Sequence, residues 1–301
     1  MAEVSALTVS DMISFCQAEI GDGSEVVERR NQLFQKKEPF ALYESRKYSY
    51  RIFGANAIKA LVQGDHLKVK ELQAILADRR ANSVLAVMPK HIMNQPFGAY
   101  GFVNVSELPV GEKKTKLGPE EIEQLGRFLS ELHEVKRFKT VNETGFQDSG
   151  EPDFSNYVVS AALVYRQMLY PDLDHEARRL VDDAVEFIKR TAGNDKSSKT
   201  ESVIVHKDIF EDKLYWKAGK LSTVDGWEAA QTAPREWELA VIWNRFPDDW
   251  EYFISCYGAE HDRNLLKLCG AVQALRFWKS FRAQGQFVSQ QVTALRKSMT
   301  V

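Results

Sequence analysis

The secondary-structure signals change near residue 110, and this change most constrains the fold that the chain can adopt. Aromatic and β-branched residues before this point predict strands at residues 40–45, 47–53, 57–62, 83–88 and 100–108. A helix is predicted over 66–80, with Asp65 as its cap. Beyond residue 110, apolar residues recur mainly at helical spacing. The order predicts an α+β fold of two lobes, 1–106 and 107–301, with a ligand cleft between them.

The second region is predicted to be helical except for one hairpin. Pro119, which acidic residues follow, is typical of a helix start. Helices are predicted at residues 119–133, 155–169, 174–191, 236–253, 265–281 and from 289 onward. A short apolar strand at 203–206 leads to the hairpin, whose strands 213–216 and 221–225 flank a turn at Gly219.

Charge and cysteine content exclude several classes of function. The 301 residues carry a formal net charge of −2, which does not favour binding to nucleic acid or to anionic membranes. Cys16, Cys256 and Cys269 are far apart in sequence, so we predict buried thiols in a reducing compartment rather than a metal site. The sequence has no apolar run of membrane-spanning length and no secretion signal, so we expect a cytoplasmic protein.

Two aspartates are candidates for chemistry. Asp208 follows the strand at 203–206, and Asp225 ends the second strand of the hairpin. Chain reversal in the hairpin can bring both carboxylates to one cleft. Such a pair suits phosphoryl transfer, where one carboxylate accepts the proton of the attacking hydroxyl and the other holds Mg²⁺ on the nucleotide phosphates. From spacing alone, two solvated turn residues are the favoured interpretation, because His-x-Asp is a weak pattern.

Four stretches, in this order, resemble the aminoglycoside phosphotransferase and small-molecule kinase family. They are the helix 125–135 that ends in Leu-His, the triplet His206-Lys207-Asp208 with its hairpin, residues 224–228 and residues 234–240. The resemblance implies a protein-kinase-like fold with a strand-rich, nucleotide-binding N-terminal lobe. It also implies a mostly helical C-terminal lobe that carries the catalytic loop and the acceptor site, and the use of ATP and Mg²⁺.

The resemblance also implies individual roles. Asp208 would be the catalytic base, and Asp225 would be a metal ligand. His206 would be structural and would bond the backbone of the loop. Glu107 and Leu108 would belong to the linker between the lobes, where their backbone would contact the adenine edge.

Position 213 departs from the family pattern, which has an asparagine there, because this chain has Lys213. A lysine ammonium has only donors and cannot ligate a metal. Three interpretations remain open. Lys213 replaces one metal ion by pairing with phosphate, the neighbouring Asp212 ligates the metal, or metal binding is impaired.

The family also uses a lysine of the N-terminal lobe that binds the α- and β-phosphates and pairs with a helix glutamate. Lys59, in the predicted strand 57–62, is the preferred candidate, with Glu71 as its partner. Arg51 is the alternative, since an arginine can hold phosphate through two hydrogen bonds. Both can instead be solvated charges on strand faces.

The leading hypothesis is ATP-dependent phosphorylation of a small-molecule hydroxyl, with an aminoglycoside-like, sugar or amino-alcohol acceptor. The alternative is a catalytically degenerate, pseudokinase-like binding or scaffold protein, which the departure at Lys213 motivates. A metal-dependent hydrolase built on His206 and Asp208 is disfavoured because no second histidine cluster follows.

Acidic and aromatic residues after the catalytic loop bear on the acceptor. They are Glu228, Glu236, Trp243, Asp248, Asp249, Trp250 and Glu251. They can favour a cationic acceptor through charge and cation–π contacts. Alternatively, Trp243 and Trp250 belong to the core, and we expect this of at least one of them.

Overall fold

The computed structural model describes residues 7–31, 40–53, 59–97, 101–135, 154–194, 201–227, 230–281 and 285–300. The helices are α1 (Val9–Ile20), α2 (Lys59–Asp78), α3 (Asn82–Ala86), α4 (Pro119–Glu134), α5 (Phe154–Leu169), α6 (His175–Asn194), α7 (Glu236–Arg245), α8 (Trp250–Tyr257), α9 (Arg263–Phe281) and α10 (Gly285–Met299). The strands are β1 (Val27–Asn31), β2 (Phe40–Glu44), β3 (Tyr48–Phe53), β4 (His91–Pro96), β5 (Phe102–Glu107), β6 (Glu112–Lys113), β7 (Ser202–Val205), β8 (Leu214–Lys217), β9 (Lys220–Val224) and β10 (Gln231–Pro234).

The N-terminal part is built on a five-stranded antiparallel sheet in the order β1-β2-β3-β5-β4. Alternate residues of the two inner strands, Tyr50 and Ile52 on β3 and Val103 and Val105 on β5, are buried in one cluster. Helix α1 adds its own buried apolar side chains, such as Cys16, to this cluster. These alternate residues therefore form the buried face of the sheet.

The C-terminal part is a helical layer with a larger core. On α4, Ile122, Leu125, Leu129 and Leu132 are fully buried, which confirms the predicted apolar stripe. Helix α8 crosses α4 at Gly126, where an added Cβ would lie 3.1 Å from the backbone nitrogen of Tyr257 on α8. This close approach brings the C-terminal end of α4 next to α8.

Two small sheets carry the loop regions of interest. Strand β7 pairs with β10, and β8 lies between β6 and β9. The turn between β8 and β9 places Ala218 and Gly219 at φ values of +51° and +75°, which confirms the predicted hairpin with Gly219 in its turn. Strand β7 and this hairpin hold the two stretches of chain that contain Asp208 and Asp225.

The prediction of an α+β fold with a strand-rich N-terminal part and a helical C-terminal part is confirmed. The division at residues 106 and 107 stays a prediction. The strands predicted at 40–45, 47–53 and 100–108 correspond to β2, β3 and β5. Helix α1 and strands β1, β4 and β10 were not predicted from the sequence.

Four local predictions were wrong. Residues 59–62 of the predicted strand 57–62 open helix α2, and residues 57–58 lie outside the described residues. Alanine, lysine and leucine are good helix formers, and their propensity continues into the pattern that follows. Helix α2 therefore includes Asp65, which is not a cap.

The stretch 83–88 lies mostly in α3, because a short apolar run fits a buried helical turn as well as a strand. The helix predicted over 236–253 is interrupted at Pro247, which cannot continue a helix, so it forms α7 and α8.

The cysteines and the helices add two further findings. Cys16 and Cys269 are buried free thiols as predicted, while Cys256 is half-buried. Burial raises the pKa of Cys16 to about 11. Among the helices in the described part of the chain, none is long and apolar enough to cross a membrane.

Candidate active site

The loop after β7 is held by one buried carboxylate. Glu238, in the first turn of α7, is fully buried. Its Oε2 accepts the backbone N–H of His206 at 3.0 Å, and its Oε1 accepts the backbone N–H of Lys207 at 2.8 Å. Charge-assisted bonds of this kind are stronger than neutral ones. The carboxylate therefore fixes the two residues that precede Asp208.

The same carboxylate joins the loop to two further helices. His133 at the end of α4 approaches Glu238 Oε2 with its Nε2 at 3.1 Å. Its Nδ1 lies 2.9 Å from the hydroxyl of Tyr257 on α8. Burial raises the pKa of Tyr257 to about 12. The Leu-His ending of the helix at 132–133 thus has a structural role, because His133 connects Glu238, which holds the loop, to α4 and to Tyr257 on α8.

The backbone turns sharply at Lys207, whose φ is +77°. This left-handed conformation costs a residue other than glycine roughly 1–2 kcal/mol. Contacts on both sides of Lys207 offset that cost, from Glu238 to its N–H and from Arg276 Nη1 to its carbonyl at 3.2 Å. The turn leaves Asp208 half-buried next to the fully buried His206.

His206 lies between the two aspartate segments. Its Nδ1 accepts the backbone N–H of Asp208 at 3.3 Å, and its ring packs edge-on against Trp227, with centroids 4.7 Å apart. A Cβ added to Gly226 would lie 3.5 Å from His206 Cε1. The ring therefore contacts the loop of Asp208 and the segment directly after Asp225.

Asp225 and Lys213 are neighbours across the hairpin. The N–H of Asp225 donates to the carbonyl of Lys213 at 2.9 Å. The lysine side chain runs along Gly226, where an added Cβ would lie 3.4 Å from Lys213 Cδ and 3.5 Å from its Cε. Gly226 has a φ of +94°, so another residue there would be strained as well as crowded. The hairpin thus brings Asp225, Lys213 and His206 together.

The carboxylate of Asp208 forms an ion pair with the guanidinium of Arg276 on α9. The two side chains are 27% and 17% exposed, so the pair is neither fully solvated nor sealed in the core. Sequence reasoning missed Arg276, because 68 residues separate it from Asp208 and only the packing of α9 brings them together. The sequence signal that could have indicated Arg276 is its position one turn from Gln273 within a mostly apolar helix.

The described residues provide few ligands for a metal ion on their own. Among them, no group of three or more histidine, cysteine, aspartate or glutamate side chains could hold one. Asp225 is half-buried and Asp212 is exposed. Mg²⁺ commonly takes only one or two protein carboxylates and completes its shell with phosphate oxygens and water. The residues therefore fit a Mg²⁺ ion that arrives with a nucleotide, but not one held by the protein alone.

The fold changes the assignment of the phosphate-binding candidates in the N-terminal part. Lys59 is the first residue of α2 rather than a strand residue, so its expected position on a strand was wrong. Arg51 lies on β3, the strand that precedes α2, opposite Leu42 and Asn104. Glu71 is half-buried within α2. Arg51 therefore has the strand position for which Lys59 was preferred.

The predicted linker has its backbone donors occupied. The N–H of Glu107 donates to the carbonyl of Lys90, and that of Leu108 to the carbonyl of Lys47, both at 2.8 Å. The N–H of Val110 donates to Thr223 Oγ1 at 3.0 Å. Contact between these linker residues and an adenine edge would therefore involve their carbonyl groups.

Of the acidic and aromatic residues after the loop, Glu236, Trp243 and Trp250 are used within the protein, whereas Asp248 and Glu251 are exposed and Asp249 is half-buried. Glu236 is buried and accepts the N–H of Asp262 at 2.9 Å. Trp243 and Trp250 are both buried, with ring centroids 6.3 Å apart, so both belong to the core. Glu228 lies outside the described residues.

Comparison with known proteins gives a family and a fold. The model of the phosphotransferase enzyme family matches residues 63–265. A search of curated protein sequences finds no match. The solved structures that resemble this chain include three that contain nucleotides, and their low sequence identity makes them evidence for the fold alone.

APH(2'')-IIia in complex with GDP and kanamycin is 12% identical, with a TM-score of 0.64 over 95% of this chain and 97% of that one. ADP-bound aminoglycoside phosphotransferase APH(2'')-Ib is 12% identical, with a TM-score of 0.62 over 97% and 98%. Spectinomycin phosphotransferase APH(9)-Ia, in complex with ADP and spectinomycin, is 14% identical, with a TM-score of 0.60 over 97% and 94%.

Proposed function

Because the chain belongs to the phosphotransferase enzyme family, we propose that it transfers the terminal phosphoryl group of ATP to a hydroxyl of a small molecule. The observation that carries this proposal is the position of Asp208. The carboxylate follows a loop that Glu238 fixes through two backbone bonds, and it remains partly exposed. A fixed, accessible carboxylate is what the orientation of an attacking hydroxyl requires.

Asp208 acts on the acceptor. Arg276 holds its Oδ1, so Oδ2 is the oxygen that accepts the acceptor's O–H. The acceptor oxygen forms a bond to the γ-phosphorus, and the bond from that phosphorus to the β–γ bridging oxygen breaks. ADP leaves with the electron pair, and the hydroxyl proton passes to Asp208. Positioning supplies most of the catalysis, since phosphoryl transfer asks little covalent chemistry of the protein.

The positive charges that would neutralise the nucleotide phosphates come from three sources. Asp225, with Asp212 beside Lys213, would hold Mg²⁺ on the phosphates, and the ion would neutralise the charge that develops there. In place of the asparagine of the family pattern, the ammonium of Lys213 would pair directly with a phosphate. In the N-terminal part, Arg51 would contact the phosphates, and Glu71 on α2 would orient it.

Other features support the remaining parts of the proposal. The nucleotides in the similar solved structures support a purine nucleotide donor, and the acceptors in their names support a small-molecule acceptor. The net charge of −2 does not favour a nucleic-acid partner, and the free cysteines support a cytoplasmic location.

A second function has specific support. Lys213 in place of a metal-ligating asparagine and the ion pair at Asp208 also suit a pseudokinase-like binding protein that holds a nucleotide without turnover. A coupled assay for ADP release, run with aminoglycosides, sugars and amino alcohols, separates the two functions. Acceptor-dependent ADP release that Asp208→Asn abolishes supports the enzyme. Nucleotide binding without ADP release from any acceptor supports the binding protein.

A further inference from the structure

The guanidinium of Arg276 is hydrogen-bonded to the loop that precedes Asp208. Its Nη1 donates to the carbonyl of Lys207 and to Gln273 Oε1, both at 3.2 Å. Gln273 is itself fully buried and donates to the carbonyl of Trp237 at 3.2 Å. Arg276 is therefore held in place by a buried side chain, whereas an arginine on the surface can change rotamer freely.

Arg276 has more N–H donors than its contacts with the described residues use. A guanidinium has five N–H groups in a fixed planar fork. Contacts to described residues use the two of Nη1 and one of Nη2. Within the described part of the chain, the Nε–H and the second N–H of Nη2 have no acceptor, and the side chain is 17% exposed. Two charged donors beside Asp208 are thus available to a ligand.

Two phenols of α5 lie near this guanidinium. Burial raises the pKa of Tyr165, Arg276 counteracts the shift, and the negative charge of Asp208 adds to it. Burial and Tyr165 raise the pKa of Tyr157, which the charge of Arg276 likewise lowers. Tyr157 is also partly exposed. The charge of Arg276 therefore acts on both phenols.

Several acids close to the loop are engaged within the protein. Arg276 balances the charge of Asp208, and Arg245 pairs with Glu211 at 2.8 Å. Glu238 is engaged with His133 and with the backbone N–H groups of His206 and Lys207. An acceptor with several amino groups would meet a guanidinium beside Asp208, where it needs carboxylates.

Resting on the proposed function, we infer that the acceptor is a hydroxy compound that carries a carboxylate or phosphate group. Arg276 binds this anionic group through its two remaining N–H donors, and Asp208 Oδ2 receives the neighbouring hydroxyl. Planar guanidinium groups bind carboxylate and phosphate through paired hydrogen bonds, which sets both position and specificity. The phosphoryl transfer itself is the balanced step described above, with ATP as the donor.

The test measures binding of matched probes to the full chain with saturating ADP by thermal shift and calorimetry. One set consists of glucose, glucuronate, glucose 6-phosphate and glucosamine, and another of glycerol, glycerate and 3-phosphoglycerate. We expect at least one carboxylate or phosphate probe to bind about ten-fold more tightly than its neutral counterpart, as one charge-assisted bond allows. Comparison of glucuronate with glucose 6-phosphate, and of glycerate with 3-phosphoglycerate, shows whether a carboxylate or a phosphate is preferred.

Variants decide whether Arg276 is responsible. Arg276→Gln should abolish the preference for anionic probes, and Arg276→Lys should keep part of it through charge alone. Arg166→Gln is the matched control, because Arg166 pairs with Asp182 at 2.6 Å on α5 and α6 and should leave the preference unchanged.

Three results would overturn the inference. They are binding of no anionic probe, equal or tighter binding of neutral or amino probes, and a preference that survives Arg276→Gln. Binding of ADP alone separates this failure from that of the proposed function. If ADP binds but anionic probes do not, only the inference fails. If ADP does not bind, the proposed function fails with it.

Discussion

The backbone N–H of Asp225 donates to the carbonyl of Lys213 at 2.9 Å, so a candidate metal ligand and a lysine face each other across the hairpin. The lysine side chain continues along Gly226. Lys213 thus carries a positive charge at the position where the family pattern has an asparagine with a neutral amide oxygen. On this basis we propose that Lys213 substitutes for one cation at the nucleotide phosphates.

Replacement of Lys213 by asparagine tests this role. Without the ammonium, we expect nucleotide affinity in the absence of Mg²⁺ to fall about ten-fold, as loss of one charge-assisted bond predicts. Calorimetry with ADP across a magnesium series measures the change. The matched control is Lys217→Asn, since Lys217 is an exposed lysine of the same hairpin. Equal loss in both variants would contradict a special role for Lys213.

Replacement of Asp208 by asparagine separates turnover from binding. The amide cannot accept the hydroxyl proton, so we expect turnover to fall by roughly 10²–10⁴-fold, as loss of a general base does. Nucleotide affinity should remain within about two-fold, because the assigned phosphate contacts lie on other residues. Steady-state kinetics and ADP titration measure the two quantities. Wild-type turnover in this variant would remove Asp208 from the catalytic role.

Replacement of Glu238 by glutamine tests how the loop is held. An amide offers one accepting oxygen where the carboxylate uses both, so either the N–H of His206 or that of Lys207 loses its acceptor. An unsatisfied buried donor costs about 1–3 kcal/mol, and we expect the free energy of unfolding to fall by that amount. Urea denaturation measures it. Glu134→Gln, at an exposed position of α4, should change stability by less than about 0.5 kcal/mol.

Alkaline pH should weaken the same network through Tyr257. Burial raises its pKa from an ordinary 10.0 to about 12, so the folded state keeps the phenol protonated where the unfolded state has lost the proton. This stabilisation is complete below about pH 10 and is lost as the pH rises towards 12. A shift of that size corresponds to about 3 kcal/mol.

Denaturation at pH 9 and pH 11.5 measures the effect. We expect Tyr257→Phe to lose less stability between the two pH values than the wild type, although it starts lower because His133 Nδ1 loses the hydroxyl. An equal loss in both proteins would show that Tyr257 does not control the alkaline transition.

The sequence predicted those features whose signals are local. The hairpin followed from strand patterns on either side of Gly219, and α4 followed from its start at Pro119 and its apolar stripe. The strand assigned to Lys59 failed because a six-residue window holds too little periodicity to separate a strand from the first turns of a helix.

The candidate site was predictable only in its linear parts. His206, Asp208 and Asp225 follow one another in a short stretch of sequence. The partners Glu238, His133 and Tyr257 lie on three helices, and a contact between helices leaves no periodic signal. Arg276 belongs to the same class, since its approach to Asp208 depends on how α9 packs. Tertiary packing therefore decides the part of the site that bears on the acceptor.

The most direct test of the phosphotransferase assignment is calorimetric titration of the full chain with a non-hydrolysable ATP analogue, with and without Mg²⁺. We predict binding in both conditions, tighter by at least ten-fold with Mg²⁺, and loss of that gain in Asp225→Ala. Absence of binding in both conditions would contradict the account, because no nucleotide would reach Asp208.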